Sequence, residues 1–238
     1  MIIYACESSA KTASVALCDG TRLIAEYTQN VGNTHTETLL PMTESLFSVT
    51  GLTPDDVDLF AVSSGPGSFT GVRIGVSHIK GLAFGRGKPC VGVSSLEALA
   101  ENLSGSGLLV AAVMDARRSQ LYCSLFDCSG PVPLRILPDA AESAETFAEK
   151  VKSFAQGRLI APVGDGSALL LPYLSKESFV FLPDRLLCHS AASVASAALR
   201  KYESGEYTDD LSLKPVYLRV PQAERERLER IAENEKKS

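Results

Sequence analysis

The chain lacks several features that would narrow its function at once. No apolar run approaches the roughly 18 residues needed to cross a bilayer, and Glu7 interrupts the apolar N-terminal residues, which follow no basic region. Neither a membrane span nor a signal peptide is therefore expected. Basic residues are not in excess, since the formal net charge is −5. Unaided nucleic-acid binding requires a basic face. We expect a cytoplasmic protein that contacts RNA only together with partners.

Sequence patterns for metal binding and nucleophilic catalysis are also missing. The six cysteines include no C-x-x-C pair, so we expect core thiols in a reducing compartment. The histidines at 35, 78 and 189 form neither H-x-x-x-H nor H-E-x-x-H, which argues against a metal site. No serine lies in G-x-S-x-G, which argues against a serine hydrolase. The sequence predicts no metal, no cofactor and no catalytic residue.

A strand, a turn and a helix between residues 58 and 86 are the clearest pattern that is present. Residues 58–64 form a short apolar run bounded by turn residues, which predicts a buried strand. The turn G-P-G-S ends the strand, and Ser68 is suited to cap a helix that begins at Phe69. The apolar content of 45% over 238 residues suits one large domain or two small ones.

The predicted helix contains four glycines, at positions 71, 75, 81 and 85. Each costs a helix roughly 1 kcal/mol relative to alanine, or on the order of 4 kcal/mol together. Three explanations are open: close packing on the chain's own sheet, close packing against a helix of another subunit, and an anion held at the helix N-terminus. The third has the least support, because the turn matches neither G-x-x-x-x-G-K-[ST] nor G-x-G-x-x-G.

The predicted elements occur in the same order twice, which indicates a duplicated domain. Each half opens with three strands, at 2–6, 13–18 and 23–28 and again at 108–114, 120–126 and 134–137. The other predicted strands span 89–93, 159–163 and 179–182, and the helices span 35–49, 69–85, 95–103, 142–154 and 191–202. We predict subdomains at residues 1–105 and 106–220, joined at Ser104–Gly107, and a charged tail at 221–238 that forms a frayed or partner-dependent helix.

An acidic residue ends the first strand of each half, and this arrangement resembles the duplicated α/β architecture of actin, hexokinase and the chaperone ATPases (the ASKHA, RNase H-like fold). In those proteins two acidic turns face each other across a cleft, place Mg²⁺ and cradle phosphates. The turns here lack the glycine that lets backbone approach phosphate. We interpret Glu7, Ser8, Ser9 and Asp115 as vestigial phosphate loops.

Five sequence blocks carry a more specific resemblance. Through them the chain resembles, over nearly its whole length, the bacterial TsaB family, also called YeaZ. The blocks are E-S-S at 7–9, S-G-P-G-S-F-T-G-V-R-I-G at 64–75, V-S-S-L-E at 93–97, M-D-A-R-R at 114–118 and P-V-Y-L-R at 215–219. The resemblance implies a non-catalytic subunit of the machinery that adds threonylcarbamoyl to tRNA adenosine beside the anticodon. It also implies a TsaD-like catalytic paralogue and a TsaE-like ATPase as partners, with tRNA bound only through the complex.

The resemblance further implies that this chain lacks the metal ligands of its catalytic paralogues, and it implies which helices bind the partner. TsaD-like chains carry two histidine metal ligands where this chain has Ser95 and Leu99, neither of which is a useful ligand. In the family, the helices at 35–49 and 69–85 pack against their counterparts in the partner. The residues expected to reach the partner are Leu39, Met42, Leu46, Phe69, Val72, Arg73, Gly75 and Val76. On this view Gly75→Leu weakens partner binding more than folding.

Three other functions remain open from the sequence. One is a stand-alone actin-fold ATPase or small-molecule kinase, which would bind ATP with Mg²⁺ by itself. Another is a metallopeptidase, although the missing histidine pair removes its main support. The last is a self-associating scaffold, because a surface that accepts a paralogous helix pair can accept a copy of itself. A weak homodimer is therefore expected in isolation.

Overall fold

The computed structural model describes residues 1–32 and 34–219. Its strands are β1 Ile2–Glu7, β2 Ala13–Asp19, β3 Arg22–Gln29, β4 Leu59–Gly65, β5 Cys90–Ser94, β6 Leu109–Asp115, β7 Gln120–Asp127, β8 Leu134–Ser143 and β9 Ile160–Val163. Its α-helices are α1 His35–Thr50, α2 Phe69–Ala83, α3 Ser95–Glu101, α4 Ala144–Ala155, α5 Ser167–Leu170, α6 Asp184–Leu187 and α7 Ala191–Glu203. Within the described ranges, no helix is long and apolar enough to cross a membrane. The predicted tail helix lies outside the described residues.

The N-terminal sheet has the strand order β3-β2-β1-β4-β5. β1 is antiparallel to β2 and parallel to β4, and β5 continues the parallel half. Successive side chains of a strand point to opposite faces of the sheet. Tyr4 and Cys6 accordingly belong to the core under α1 and α2, whereas Ile3 and Ala5 belong to the core under α7. Helices therefore cover both faces of this sheet.

The C-terminal sheet repeats part of this plan, with the order β8-β7-β6-β9. β6 is antiparallel to β7 and parallel to β9, as β1 is to β2 and β4. The core on one face of β6 includes side chains of α4, and the core on the other face includes side chains of α3. The repeated arrangement of mixed sheets and helices confirms the predicted duplicated actin-like (ASKHA, RNase H-like) fold.

One helix crosses the boundary that the sequence suggested. α7 follows the second sheet in the chain but packs on the first, where its small residues Ala191, Ala195 and Ala198 are buried. Small side chains let a helix approach a sheet closely. The division between residues 105 and 106 remains a prediction. By sequence α7 falls in the second predicted subdomain, but it packs on the sheet of the first.

Most predicted elements appear within a few residues of their expected bounds, with two differences. The third strand of the second half continues to Ser143, whose hydroxyl accepts a hydrogen bond from the Thr146 amide and so starts α4 there. The strand predicted at 179–182 is reduced to one parallel bridge between Ile160 and Phe179.

Candidate functional site: an interdomain cleft and a helix groove

A cleft of about 360 Å³ lies between the two subdomains. It is bordered by the loop after β1, the first residues of α2, the end of β6 and the chain near the C-terminus. The polar side chains that line it include Ser9, Lys11, Ser68, Asp115, Asp165 and Tyr217. The two predicted phosphate loops therefore meet at one cleft, as the resemblance to actin-like proteins implied.

The acid of the first loop does not face this cleft. The Glu7 side chain is fully buried, and its Oε1 accepts hydrogen bonds of 2.6 Å from both the amide and the hydroxyl of Ser9. Its Oε2 lies 3.5 Å from Nδ1 of the buried His189. Burial by itself raises the pKa of Glu7, but His189 and the bonds from Ser9 outweigh burial and hold that pKa below its usual value. Glu7 is thus part of a buried pair that links β1 to the chain before α7.

The rest of the first loop is pressed against α2. The Ser8 hydroxyl donates a 2.9 Å hydrogen bond to the carbonyl oxygen of Gly71. A Cβ atom at Gly71 would collide with the Ser8 carbonyl oxygen, and one at Gly75 would collide with the Ser8 hydroxyl. These two glycines permit close packing on the chain's own sheet and loop, the first of the three explanations. A Cβ at Gly81 would meet nothing within 4 Å. Close packing within this chain therefore does not explain the glycine at position 81.

The second loop, residues 115–119, reverses the chain through three consecutive residues with left-handed backbone. Arg117, Arg118 and Ser119 have φ values of 65°, 54° and 57°. The Asp115 carboxylate accepts a 2.7 Å bond from the Arg117 amide, and the Asp115 amide donates to Asp165 at 3.1 Å. Of the four predicted loop residues, Glu7, Ser8 and Ser9 are buried, and Ser9 and Asp115 line the cleft.

Sequence reasoning did not place the C-terminal strap, which we define as residues 208–219. Thr208 forms an antiparallel bridge with Cys90, and the Val216 amide donates a 2.7 Å bond to the carbonyl oxygen of Ser64. At its end Arg219 donates a 2.7 Å bond to the Ala116 carbonyl oxygen in the second loop. The strap sequence has no helical or strand periodicity. The P-V-Y-L-R block is the part of it that the family resemblance indicated.

Arg73 joins the strap to the first turn of α2. Its guanidinium carbon lies 3.9 Å from the centre of the Phe69 ring, and its Nε donates a 2.8 Å bond to the Tyr217 hydroxyl. The Phe69 and Tyr217 rings have centres 4.8 Å apart. Phe69 and Tyr217 border the cleft, whereas Arg73 also borders a groove on the outer side of the helices.

The structure shows where the predicted partner-contacting side chains lie in the isolated chain. Four of them, Leu39, Leu46, Val72 and Val76, are at most 3% exposed and belong to the core under α1 and α2. Gly75 is also buried, and Met42 packs against the same core. The apolar face extrapolated from the sequence is the face that each helix turns toward its own sheet. Of the eight residues, Phe69 is half-buried and Arg73 is exposed. Partner binding by the helix pair remains a prediction.

The outer side of the same helix pair forms a groove of about 390 Å³, which we call the helix groove. Its outer wall includes His35 and Leu40 from α1 and Arg73, Ile74, Ser77 and His78 from α2. Leu40 is 52% exposed. The groove therefore combines apolar side chains with a cation and two imidazole rings.

His78 connects the groove to the core through a compact hydrogen-bond network. Its Nε2 lies 2.9 Å from the Tyr4 hydroxyl and 3.0 Å from the Thr43 hydroxyl, which are themselves 2.6 Å apart. Burial lowers the pKa of His78 to about 4, because an imidazolium would lose hydration there. The ring is therefore neutral at pH 7.

Ser95 and Leu99, at the two positions implied to have lost metal ligands, are both fully buried. The Ser95 hydroxyl lies 2.6 Å from that of Ser63, and Leu99 packs in the core beside β6. Within residues 1–32 and 34–219, no group of three or more His, Cys, Asp or Glu side chains is placed to hold a metal ion. All six cysteines are free thiols, as predicted, and five are buried.

Two actin-like subdomains around a cleft whose first loop is packed inward define a protein of the actin-like class. The sequence model of the TsaD family, tRNA N6-adenosine threonylcarbamoyltransferase, matches residues 24–208. The chain is 31% identical to the tRNA threonylcarbamoyladenosine biosynthesis protein TsaB of Bacillus subtilis, over 94% of this chain and 96% of that protein. It is also 31% identical to TsaB of Escherichia coli, over 92% and 95%. YeaZ from Pseudomonas aeruginosa superimposes with a TM-score of 0.80 at 26% identity, covering 91% of this chain and 99% of that one. The chain belongs to the TsaD family and, within it, to the TsaB (YeaZ) proteins.

Proposed function

We propose that this chain is a non-catalytic subunit of the machinery that adds threonylcarbamoyl to tRNA adenosine beside the anticodon. It forms a heterodimer with a TsaD-like catalytic paralogue in the cytoplasm and activates it, and a TsaE-like ATPase joins the complex. Contact with tRNA occurs through the complex. Support comes from family membership, since relatives named for this biosynthesis align over more than nine-tenths of the chain.

The inward packing of the first loop is the observation that carries the non-catalytic assignment. Glu7 Oε1 accepts two hydrogen bonds from Ser9, Glu7 Oε2 lies 3.5 Å from His189 Nδ1, and the Ser8 hydroxyl donates to the Gly71 carbonyl oxygen. These are the groups that the fold would otherwise offer to a phosphate or to Mg²⁺. Because these groups contact one another between β1, α2 and α7, they do not face the cleft. This supports a role as the partner of a catalytic subunit.

The helix groove is the surface that we propose for the catalytic partner. The TsaD family model covers most of this chain, so the partner is expected to present a similar helix pair. The exposed Leu40 and the partly buried Ile74 offer apolar contact, and Arg73 offers a charge at the edge. Exposed apolar side chains between two helices suit a helix of a second chain. The same surface is where we expect the weak homodimer to form.

The decisive experiment measures mass and tRNA modification for this chain mixed with a bacterial TsaD, and for each protein alone. TsaE, ATP and threonylcarbamoyl-adenylate are present throughout. We expect a heterodimer and modification only in the mixture. Failure to associate with any TsaD, together with Mg²⁺-dependent ATP binding by the isolated chain, would instead favour the stand-alone ATPase.

A matched pair of variants tests the surface. Leu40→Asp places a charge in the groove and should weaken the heterodimer at least tenfold, because the carboxylate would have to be desolvated. Leu134→Asp is the control: Leu134 is 65% exposed on β8 of the other subdomain, so its replacement should leave affinity unchanged. Equal affinities for both variants would exclude the helix groove as the interface.

A further inference from the structure

Both histidines of the helix groove are held in defined tautomers by the groups around them. The His35 Nε2 lies 2.8 Å from the carbonyl oxygen of Ala10. A carbonyl oxygen can only accept, so His35 carries its proton on Nε2. Its Nδ1 is buried and has no hydrogen-bond partner among the described residues.

The tautomer of His78 follows from counting the protons in its network. The Thr43 hydroxyl donates its one proton to the Leu39 carbonyl oxygen at 2.7 Å, so the Thr43 oxygen accepts from its other neighbours. Tyr4 then supplies the proton of the 2.6 Å contact with Thr43. Both hydroxyl protons are then used elsewhere, so the contacts of His78 Nε2 with these two oxygens can be hydrogen bonds only if Nε2 carries a proton and donates it.

The other ring nitrogen of His78 is consequently a hydrogen-bond acceptor. His78 is half-buried and lines the groove, and within residues 1–32 and 34–219 its hydrogen bonds all involve Nε2. The neutral ring cannot gain a second proton at pH 7, since burial keeps its pKa near 4. Nδ1 has no hydrogen-bond partner among the described residues, and a docked helix would exclude solvent from it.

We infer that the docked partner presents a neutral hydrogen-bond donor, a hydroxyl or a side-chain amide, to Nδ1 of His78. This inference rests on the proposed function, because the occupant of the groove is the TsaD-like paralogue. A partner carboxylate at this point would face an acceptor with no proton between them, which is unfavourable once water is excluded. An ammonium group would be repelled by Arg73 in the same groove. His78 is thus a specificity-determining residue of the interface.

Two substitutions of His78 separate its roles in the groove and in the core. Gln places an amide nitrogen near the position of Nε2 and so keeps the donor to Tyr4 and Thr43, but it removes the acceptor in the groove. Asn places an oxygen acceptor near the position of Nδ1 and removes the donor in the core. We expect His78→Gln to weaken the heterodimer about tenfold by titration calorimetry, with little change in melting temperature. We expect His78→Asn to lower the melting temperature and keep affinity within twofold.

Three outcomes would overturn the inference. Nitrogen-15 NMR of the isolated chain should find Nε2 protonated and Nδ1 not, and the reverse tautomer would remove its basis. A heterodimer that Leu40→Asp disrupts but His78→Gln leaves at full affinity would overturn the role of His78 alone. If no heterodimer forms with any TsaD, the proposed function fails, and the interface inference fails with it.

Discussion

Glu7 Oε2 and His189 Nδ1 lie 3.5 Å apart in the interior, although the two residues are separated by nearly the whole of the described chain. Glu7 is 0% exposed and His189 is 2% exposed. The pair connects the end of β1 with the residue before the Ser190 cap of α7. The acid that ends β1 is thus part of the packing between the sheet and its returning helix.

Breaking this pair from one side should destabilise the fold strongly. His189→Ala leaves the buried Glu7 Oε2 with no polar group beside it, and leaving a buried acceptor unpaired costs about 1–3 kcal/mol, or more when the acceptor is charged. Urea unfolding of the isolated chain measures the change. In the double variant Glu7→Gln/His189→Ala, the neutral side chain should recover part of the loss. If the double variant is as unstable as the sum of the single ones, the two residues are not coupled.

Stability should decrease as the pH is lowered from 6.5 to about 4, because of His78. The pKa of His78 is lowered by burial from 6.5 to about 4 in the folded chain, so the unfolded chain binds more protons in this interval. The free energy of unfolding attributable to His78 should fall by about 3 kcal/mol at most, since one pKa unit is worth roughly 1.4 kcal/mol. Urea titrations across this interval should show a smaller slope for His78→Gln. Parallel profiles would contradict the prediction.

Gly71 and Gly81, on the same helix, should respond oppositely to alanine. Gly71→Ala forces a Cβ against the Ser8 carbonyl oxygen, and overpacking of this kind costs about 1–3 kcal/mol. Gly81→Ala meets open space and should gain up to about 1 kcal/mol from helix propensity. Thermal unfolding compares the two. The same geometry reverses the expectation for Gly75→Leu, which should impair folding before it affects any partner. A folded, stable Gly75→Leu would contradict this reasoning.

The strap should loosen when its aromatic anchor is removed. Tyr217→Phe deletes the hydroxyl that accepts from Arg73 but keeps the contact with Phe69, so a loss of roughly 0.5–1 kcal/mol is expected for this exposed bond. Tyr217→Ala also removes the ring contact and should make the strap a faster target for limited proteolysis. Tyr207→Ala, at an exposed tyrosine just before the strap, serves as the control. Equal cleavage of all three variants would mean that Tyr217 does not hold the strap.

Local chemistry explains why much of the fold could be predicted. Ser68 caps a helix, as the sequence predicted, and its hydroxyl accepts a hydrogen bond from the Gly71 amide. Short apolar runs bounded by turn residues predicted the strands of the first sheet to within a few residues. Such signals are contained within a few consecutive residues, so they can be recognised without knowledge of the tertiary structure.

The candidate site was predicted less completely, for a definite reason. The sequence chose the partner-contacting side chains from the apolar face of each helix, and most of them pack toward the chain's own sheet, because periodicity shows that a helix has an apolar face without showing what covers it. Leu39 and Leu40 are adjacent in sequence and both line the groove, but Leu39 is 2% exposed and belongs to the core, whereas Leu40 is 52% exposed. No local pattern marks which of two such neighbours a partner can reach.

The sequence by itself determined the two-fold repeat of strands and helices, the helix caps and the family blocks, since each depends on neighbours along the chain. Only the tertiary structure decided that Glu7 pairs with His189, that Gly71 and Gly75 make room for Ser8, and that Tyr4 and Thr43 orient His78. These contacts join residues far apart in sequence. They depend on how two sheets and their helices close around one cleft, which no local preference encodes.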